Sequence, residues 1–297
     1  MGVILYCGVN ETRWNELPVS PGSHCCISPI MGSKIHTIKE NRVVIPEPTR
    51  IIQDSGAFCD SPSSRLTNAE AIVRQIAHGD KYNYSDMIEM RSTYDLLIDE
   101  KWENGKRSKI RWTESEAWDA VNVTVEAAEY YNTHRYGVGL VLSCQGVTAN
   151  QYLKCAERVV GMYREGDAIG LGGWCILGKQ RRRLGRSFRE TIVNVIPFLG
   201  DEGVKRVHIW GVIYPVGLGE LLWMCNKHGI TLSTDSAGPQ FKPVMGSWGY
   251  GDWTDVAYRR KPTNVRSADR KKHLDITRGW LNGLENTQYY RDPSQFL

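Results

Sequence analysis

Ile230-Thr-Leu-Ser-Thr-Asp-Ser-Ala-Gly-Pro239 is the stretch of sequence that decides the fold of this chain. Its first half is β-branched and apolar, which is typical of a short buried strand. Its second half consists of small residues and a proline, which end a strand. Asp235 lies at the junction, so the pattern predicts a carboxylate at the rim of a sheet. The same arrangement occurs upstream in Arg50-Ile-Ile-Gln-Asp-Ser-Gly-Ala-Phe58, where Asp54 follows a short apolar run.

These two aspartates predict a pair of carboxylates at strand ends. Paired carboxylates are the usual machinery for breaking a glycosidic bond. Taken singly, either aspartate fits a helix cap or a loop turn equally well. The functional interpretation therefore depends on whether the other strand ends carry polar residues as well.

The composition is that of an ordinary soluble globular protein. The chain has 297 residues, enough for one large domain or two small ones, and 41% of them are apolar and 24% charged. No apolar run approaches membrane-spanning length, and residues 1–9 resemble a first strand and not a secretory signal. We therefore expect an intracellular, cytoplasmic protein. The eight cysteines include no C-x-x-C pair, and His24-Cys25-Cys26 with His36 matches no familiar zinc module, so we expect no metal.

Positive charge is concentrated in two blocks, although the net charge of +4 is mild. The first block begins at Lys179 and continues to Arg189, and the second covers residues 259–272. Such blocks bind phosphates in many nucleic-acid-binding proteins, but they also form solvated helix faces and loops. The candidate phosphate-binding residues are Lys179, Arg181, Arg182, Arg183 and Arg186.

Strands and helices alternate along the chain. The predicted strands cover residues 3–7, 51–53, 94–100, 139–146, 168–174, 205–210 and 230–235. Predicted helices lie between them, and three begin at the capping threonines Thr67, Thr113 and Thr148. Residues 9–50 form no predicted element and are expected to fold over an active site. Strict alternation favours a parallel sheet covered by helices.

At least seven such strands favour a closed TIM (β/α)8 barrel over an open sheet. We expect the barrel in residues 1–258 and a basic helical extension packed on it in residues 259–297. In such barrels the C-terminal strand ends carry the active site. Polar residues or glycines are predicted at six of them: Asp54, Asp99, Gln145, Gly172 with Gly173, Trp210 with Gly211, and Asp235.

This series of strand ends resembles the tRNA-guanine transglycosylases, TIM-barrel enzymes that exchange a guanine base for a 7-deazaguanine. Order and spacing agree from about residue 50 to residue 240, roughly two-thirds of the chain. The family includes a branch that modifies DNA, often encoded by phages or genomic islands. The matching segments are Asp54-Ser-Gly-Ala-Phe58, Ile98-Asp-Glu100, Gln145-Gly146, Ile169-Gly-Leu-Gly-Gly173, Trp210-Gly211 and Asp235-Ser-Ala237.

The resemblance implies a role for each carboxylate. Asp235 would be the nucleophile that attacks the sugar C1′, since an anion there can form a covalent ester. Asp54 would be the acid and base that manages the proton of the leaving and incoming bases. Asp99 would accept hydrogen bonds from guanine, although it also fits a structural ion pair with Lys101.

The resemblance also implies a pocket for the base. Gln145 and the backbone of Gly172 and Gly173 would complete it, because glycines allow close approach to a flat base. Phe58 and Trp210 would stack on the base, with Gly211 beside them, although the family usually has a smaller residue at the Trp210 position. Both aromatic residues fit an ordinary core equally well, and Gln145 fits a role in satisfying loop backbone groups.

Two departures from the family favour DNA over tRNA as the substrate. The tRNA enzymes hold a structural zinc ion in a C-x-C-x-x-C cluster downstream of the nucleophile, whereas the last cysteine here, Cys225, precedes Asp235. We therefore expect no zinc and no cofactor. Because little sequence follows the predicted barrel, we also expect no counterpart of the extra RNA-binding domain of archaeal relatives. Besides DNA and a 7-deazaguanine base, helper proteins or a second copy of the chain are expected partners.

Three other functions fit parts of the pattern. The first is the same exchange on tRNA. The second is a TIM-barrel glycoside hydrolase, which also uses two strand-end carboxylates and leaves the glycine-rich pocket unexplained. The third is a non-catalytic subunit that binds nucleic acid, which leaves the two aspartates unexplained.

Overall fold

Eight parallel strands form a closed barrel in a computed structural model of the chain. The model describes residues 2–9, 24–29, 50–57, 60–98, 102–103, 106–107, 112–174, 185–213, 215–236 and 267–297. Neighbouring strands in the chain are neighbours in the barrel, and β8 pairs with β1 to close it. The strands are β1 Ile4–Val9, β2 His24–Ile27, β3 Arg50–Gln53, β4 Ile88–Ser92, β5 Gly139–Cys144, β6 Ala168–Leu171, β7 Arg206–Ile209 and β8 Thr231–Ser236.

Helices connect the strands from β3 onward. They are α1 Asn68–Lys81, α2 Glu114–Thr133, α3 Ala149–Val159, α4 Arg186–Asp201 and α5 Pro215–Lys227, and a further helix, α6 Ser267–Asn282, follows β8. Thr67 and Thr113 cap α1 and α2 through complete capping boxes, as their sequences predict. The TIM-barrel prediction is thereby confirmed. None of these helices is both long and apolar enough to cross a membrane.

The structure corrects two of the strand predictions. β2 lies inside residues 9–50, which are predicted to form no element, because four residues carry too short a pattern to detect. The fourth strand is Ile88–Ser92 and not residues 94–100. The charged residues Glu89 and Arg91 interrupt the apolar pattern by which a strand is predicted. In the fold both side chains have hydrogen-bond partners. Arg91, for example, is buried and donates a hydrogen bond from Nε to the Gln53 side chain, at 3.0 Å.

Apolar side chains fill the middle of the barrel. Of the buried apolar clusters, one lies inside the barrel and the largest lies between the barrel and its helices. The inner core therefore separates the N-terminal end of the barrel from the C-terminal end. Its buried members are Tyr6, Cys26, Ile52, Met90, Val141 and Ala168.

An ionic cluster around Glu89 closes the N-terminal end of the barrel. Glu89 accepts hydrogen bonds from the Tyr6 hydroxyl at 2.8 Å and from Arg206 at 2.6 Å, and Arg50 lies 3.4 Å away. Burial alone would raise the pKa of Glu89, but the bonds from Arg206 and Tyr6 outweigh burial and hold it below its usual value. The carboxylate thus stays charged inside the barrel.

Replacing Glu89 with alanine is expected to lower the free energy of unfolding by about 2–4 kcal/mol, because Arg206 and the Tyr6 hydroxyl lose their shared partner. Urea denaturation measures this change. The matched control is Glu157→Ala, since Glu157 pairs with Lys154 on the exposed face of α3 and such pairs contribute about 0–1 kcal/mol. Equal losses in the two variants would contradict the structural role of Glu89.

The C-terminal segment lies beside the first strand and α5. The Val3 backbone N–H donates to the Leu281 carbonyl at 3.1 Å, at the end of α6. Glu220 of α5, which is buried, binds both Arg189 of α4 and Arg291. The predicted extension, residues 259–297, is described from residue 267 onward, and its separation from a 1–258 barrel domain remains a prediction.

Candidate active site

Asp54 and Asp235 lie together at the C-terminal end of the barrel. Asp54 directly follows β3, and Asp235 is in β8 opposite Tyr6 of β1. Burial raises the pKa of the Cys26 thiol, and the charges of Asp235 and Asp54 raise it further, so both carboxylates lie near this one side chain of β2. The barrel has therefore brought the two predicted carboxylates to one site.

The surroundings of Asp54 favour its protonated form. Burial raises the pKa of Asp54, and the neighbouring Asp235 carboxylate raises it further. Hydrogen bonds from Ser28, Ser55 and Gly56 act in the opposite direction but do not cancel the rise. The Ser55 bond, from its backbone N–H to Oδ1, is 2.7 Å long. A carboxyl group that holds its proton at higher pH is suited to act as a general acid.

The loop that carries Asp54 is held in place by Arg74 of α1. Arg74 donates to the Ser55 carbonyl at 2.6 Å and binds Asp60 with both of its terminal nitrogens. Gly56 has φ +79° and an added Cβ would lie 2.8 Å from Arg74 Nη2, so only glycine fits this turn without strain. The position of Asp54 therefore depends on residues far from it in the chain.

Asp235 is oriented through one of its two oxygens. The Gly211 backbone N–H donates to Asp235 Oδ1 at 2.7 Å, and His208 Nε2 lies 3.4 Å from the same atom. Gly211 has φ +68°, the left-handed conformation that turns its N–H toward the carboxylate. Oδ1 is thus the oxygen through which these contacts anchor Asp235.

Gln145 lies on the same rim and is bound to a second carboxylate, Asp95. Its amide nitrogen donates to the Asp95 side chain, and it is fully buried. Its Oε1 has no hydrogen bond among the residues that the structure describes. A Cβ at Gly172 would lie 3.1 Å from the Gln145 side chain, which accounts for a glycine there. The Gly172 N–H and carbonyl bind Cys144 and Tyr152, so its backbone already has partners within the fold.

Asp95 is a rim carboxylate that the predicted strand over residues 94–100 does not place at a strand end. Because the fourth strand ends at Ser92, the first acidic residue after it is Asp95 and not Asp99. The sequence does contain a pattern that indicates Asp95. The polar run Ser92-Thr-Tyr-Asp95 directly follows Ile88–Arg91, as residues at the end of a strand do. Arg65 holds its backbone by donating to the Asp95 carbonyl at 2.9 Å.

Trp210 lies at the top of the inner core, at the boundary with the site. It is half-buried, packs on the inner core and meets the His208 ring edge-to-face at 4.4 Å. A Cβ at Gly170 would lie 2.7 Å from Trp210 Nε1, so the indole covers the backbone of β6 where no side chain intervenes. Its N–H is buried and has no hydrogen bond among the described residues.

Several predicted site residues fall outside the described ranges. Arg186, at the start of α4, is described: its side chain is 76% exposed and pairs with Glu190 at 2.8 Å. The described residues include no group of three or more His, Cys, Asp or Glu side chains that would hold a metal ion. The predicted residues outside the described ranges are Phe58, Asp99, Lys179, Arg181, Arg182 and Arg183.

Comparisons of this chain with known proteins found similar structures, all of them with low sequence identity. No protein-family model and no curated protein matches the chain. A putative fructose-1,6-biphosphate aldolase from Coccidioides immitis has 12% identity and a TM-score of 0.45 over 96% of this chain and 94% of its own. An L-ribulose 3-epimerase has 12% identity and a TM-score of 0.45 over 96% of each chain. A putative dihydrodipicolinate synthetase from Pseudomonas aeruginosa has 14% identity and a TM-score of 0.36, over 96% and 83%. Likenesses this distant carry no information on activity or substrate.

Proposed function

We propose that this protein is a DNA-guanine transglycosylase, which exchanges guanine in DNA for a 7-deazaguanine base through a covalent aspartyl-sugar intermediate. The observation that carries the proposal is the unequal pair of carboxylates at the barrel mouth. Asp54 has a raised pKa, caused first by burial and then by Asp235, whereas Asp235 is anchored by the Gly211 N–H through one oxygen. Two carboxyl groups with different surroundings are suited to separate acid and nucleophile roles.

The first half of the exchange uses both groups. Asp235 Oδ2 attacks C1′ of the target nucleotide and forms an ester while the C1′–N9 bond breaks. The electron pair of that bond goes to N9 of guanine, and the Asp54 proton follows it. Guanine leaves as the neutral base, and Asp54 becomes a carboxylate beside the sugar ester.

The second half reverses these steps with a different base. Asp54, now a carboxylate, removes the N9 proton of the 7-deazaguanine. N9 then attacks C1′, the C1′–Oδ2 bond breaks, and its electron pair returns to Asp235. Both aspartates regain their starting states, so the exchange needs no oxidant, reductant or other co-reactant.

The Gln145–Asp95 pair supports a flat heteroaromatic base as the ligand. Guanine presents N–H donors at N1 and N2 and a carbonyl acceptor at O6. Asp95 is an acceptor for such donors, in addition to the predicted acceptor Asp99. Gln145 Oε1, which no described residue binds, is a second acceptor. Trp210 provides an aromatic surface at the same rim. A glycoside hydrolase leaves the glycine pair Gly172 and Gly173 unexplained.

The preference for DNA rests on the sequence. No cysteine follows Cys225, so the zinc cluster of the tRNA enzymes is absent. An enzyme acting on duplex DNA must turn the target nucleotide out of the stack. The proposed phosphate contacts follow Gly172 and Gly173 in sequence and are Lys179, Arg181, Arg182, Arg183 and Arg186.

Nucleoside mass spectrometry tests the proposal. The full chain is incubated with DNA or tRNA, labelled guanine and a set of 7-substituted 7-deazaguanines. We expect label in DNA when guanine is supplied, and the matching 7-deazaguanine nucleoside when the analogue is supplied. Incorporation into tRNA alone would overturn the DNA assignment. Binding of both nucleic acids without exchange would favour the non-catalytic alternative, and hydrolysis of simple glycosides would favour the hydrolase.

A further inference from the structure

His208 is held rigidly inside the barrel beneath Asp235. It lies on β7, is fully buried, and its Cα is opposite Ser233 of β8. Its ring is edge-to-face with Trp210 at 4.4 Å and with Tyr6 at 5.9 Å. Aromatic contacts on two sides fix the plane of the imidazole, so its nitrogens point in set directions.

The two ring nitrogens face two different partners. Nδ1 lies 2.9 Å from the Ser233 hydroxyl oxygen. Nε2 lies 3.4 Å from Asp235 Oδ1 and has no hydrogen bond within normal limits among the described residues. The Ser233 hydroxyl also lies 3.3 Å from the Val207 carbonyl. Its single proton can therefore be donated either to His208 Nδ1 or to this carbonyl. The shorter of these contacts is the one with Nδ1.

The Asp235 carboxylate beside Nε2 favours the tautomer of His208 that carries its proton on Nε2. A Ser233 hydroxyl that donates to Nδ1 leaves the ring proton of a neutral histidine on Nε2, since the bond at one nitrogen sets the tautomer. The opposite tautomer would place a bare nitrogen against a carboxylate oxygen, which brings two acceptors together without a proton. A 3.4 Å contact is long for a hydrogen bond, and such bonds often shorten when substrate is bound.

We propose that His208 is a positioning residue that holds Asp235 Oδ1 with its Nε2–H, an inference that rests on the transglycosylase function proposed above. Together with the Gly211 N–H it gives Oδ1 two donors, so Oδ2 is the oxygen that attacks C1′. In the ester, Oδ1 is the carbonyl oxygen. When the C1′–Oδ2 bond breaks, the electron pair returns to the carboxylate, and both donors stabilise the charge on Oδ1.

Two substitutions at His208 separate positioning from packing. His208→Gln keeps an N–H near the position of Nε2, whereas His208→Phe keeps a ring and removes the donor. We expect kcat to fall on the order of 10- to 100-fold in the phenylalanine variant, with KM within about 2-fold, and the glutamine variant to recover most of the loss. KM is spared because the histidine acts on the nucleophile and not on the base.

The matched control is His78→Phe. His78 is a second buried histidine, in α1, and it is hydrogen-bonded to the Tyr84 hydroxyl outside the barrel interior. We expect its loss to change the melting temperature and leave kcat unchanged. Wild-type kcat in His208→Phe would overturn the inference. So would equal losses in the glutamine and phenylalanine variants, since a packing role does not depend on the donor.

Imidazole nitrogen NMR of the full chain tests the same inference without an activity assay. We expect Nε2 of His208 to carry a proton, and its resonance to shift in Asp235→Asn. A bare Nε2 in the wild-type protein would overturn the inference whether or not exchange occurs. Absence of exchange in the wild-type protein, with a protonated Nε2 that responds to Asp235, would overturn the proposed function and leave the contact itself established.

Discussion

Replacing Asp235 with asparagine is expected to reduce guanine exchange by about 10⁴-fold or more, because an amide oxygen neither attacks C1′ nor leaves from it as a stable anion. The asparagine oxygen still accepts the Gly211 N–H, so the fold should be kept. The measurements are incorporation of labelled guanine and detection of a covalent protein–DNA adduct on a denaturing gel. Both should disappear together.

The matched control for this variant is Asp201→Asn at the exposed end of α4, which removes the same charge away from the site. It should exchange guanine at the wild-type rate. DNA binding should survive in Asp235→Asn, since the nucleophile contributes to chemistry more than to affinity. Exchange above about 1% of the wild-type rate would rule out Asp235 as the nucleophile.

Asp54→Asn is expected to lower kcat by about 10²- to 10⁴-fold, the usual contribution of a general acid and base. The asparagine has no proton to give to N9 and cannot remove one from the incoming base. In the wild-type protein the rate should fall as pH rises through the raised pKa of Asp54, because the acid form is lost. Single-turnover rates measured over a series of pH values test this fall in rate, which should be absent in Asp54→Asn.

The same variant should be more stable than the wild-type protein at neutral pH. The pKa of Asp54 is raised in the folded state, by burial and by Asp235, so the folded protein binds the extra proton. The free energy of unfolding of the wild-type protein therefore falls as pH rises from the ordinary carboxyl pKa through the raised one. Asp54→Asn does not show this fall, because an asparagine does not ionise. Denaturation at several pH values should show a gain at pH 7 that disappears near pH 4. A variant that is less stable at every pH would contradict this assignment.

Much of the barrel was predictable because its signals are local. The capping boxes at Thr67 and Thr113 each lie within four residues, and both helices begin where predicted. The local pattern does not predict β4, because the partners that allow Glu89 and Arg91 in a strand come from β1, β3 and β7. For the same reason, the sequence predicts Asp99 as the carboxylate at this strand end, whereas the first acidic residue after β4 in the structure is Asp95.

The sequence by itself determined the alternation of strands and helices and the positions of Asp54 and Asp235 at strand ends, since both follow from patterns within a few residues. The tertiary structure decided what surrounds them. The raised pKa of Asp54, the Gly211 N–H bond to Asp235 Oδ1 and the bond between Gln145 and Asp95 each join residues that are distant in the chain. Such contacts exist only once the barrel closes, because burial and the approach of distant charges are properties of the folded chain and not of any local segment.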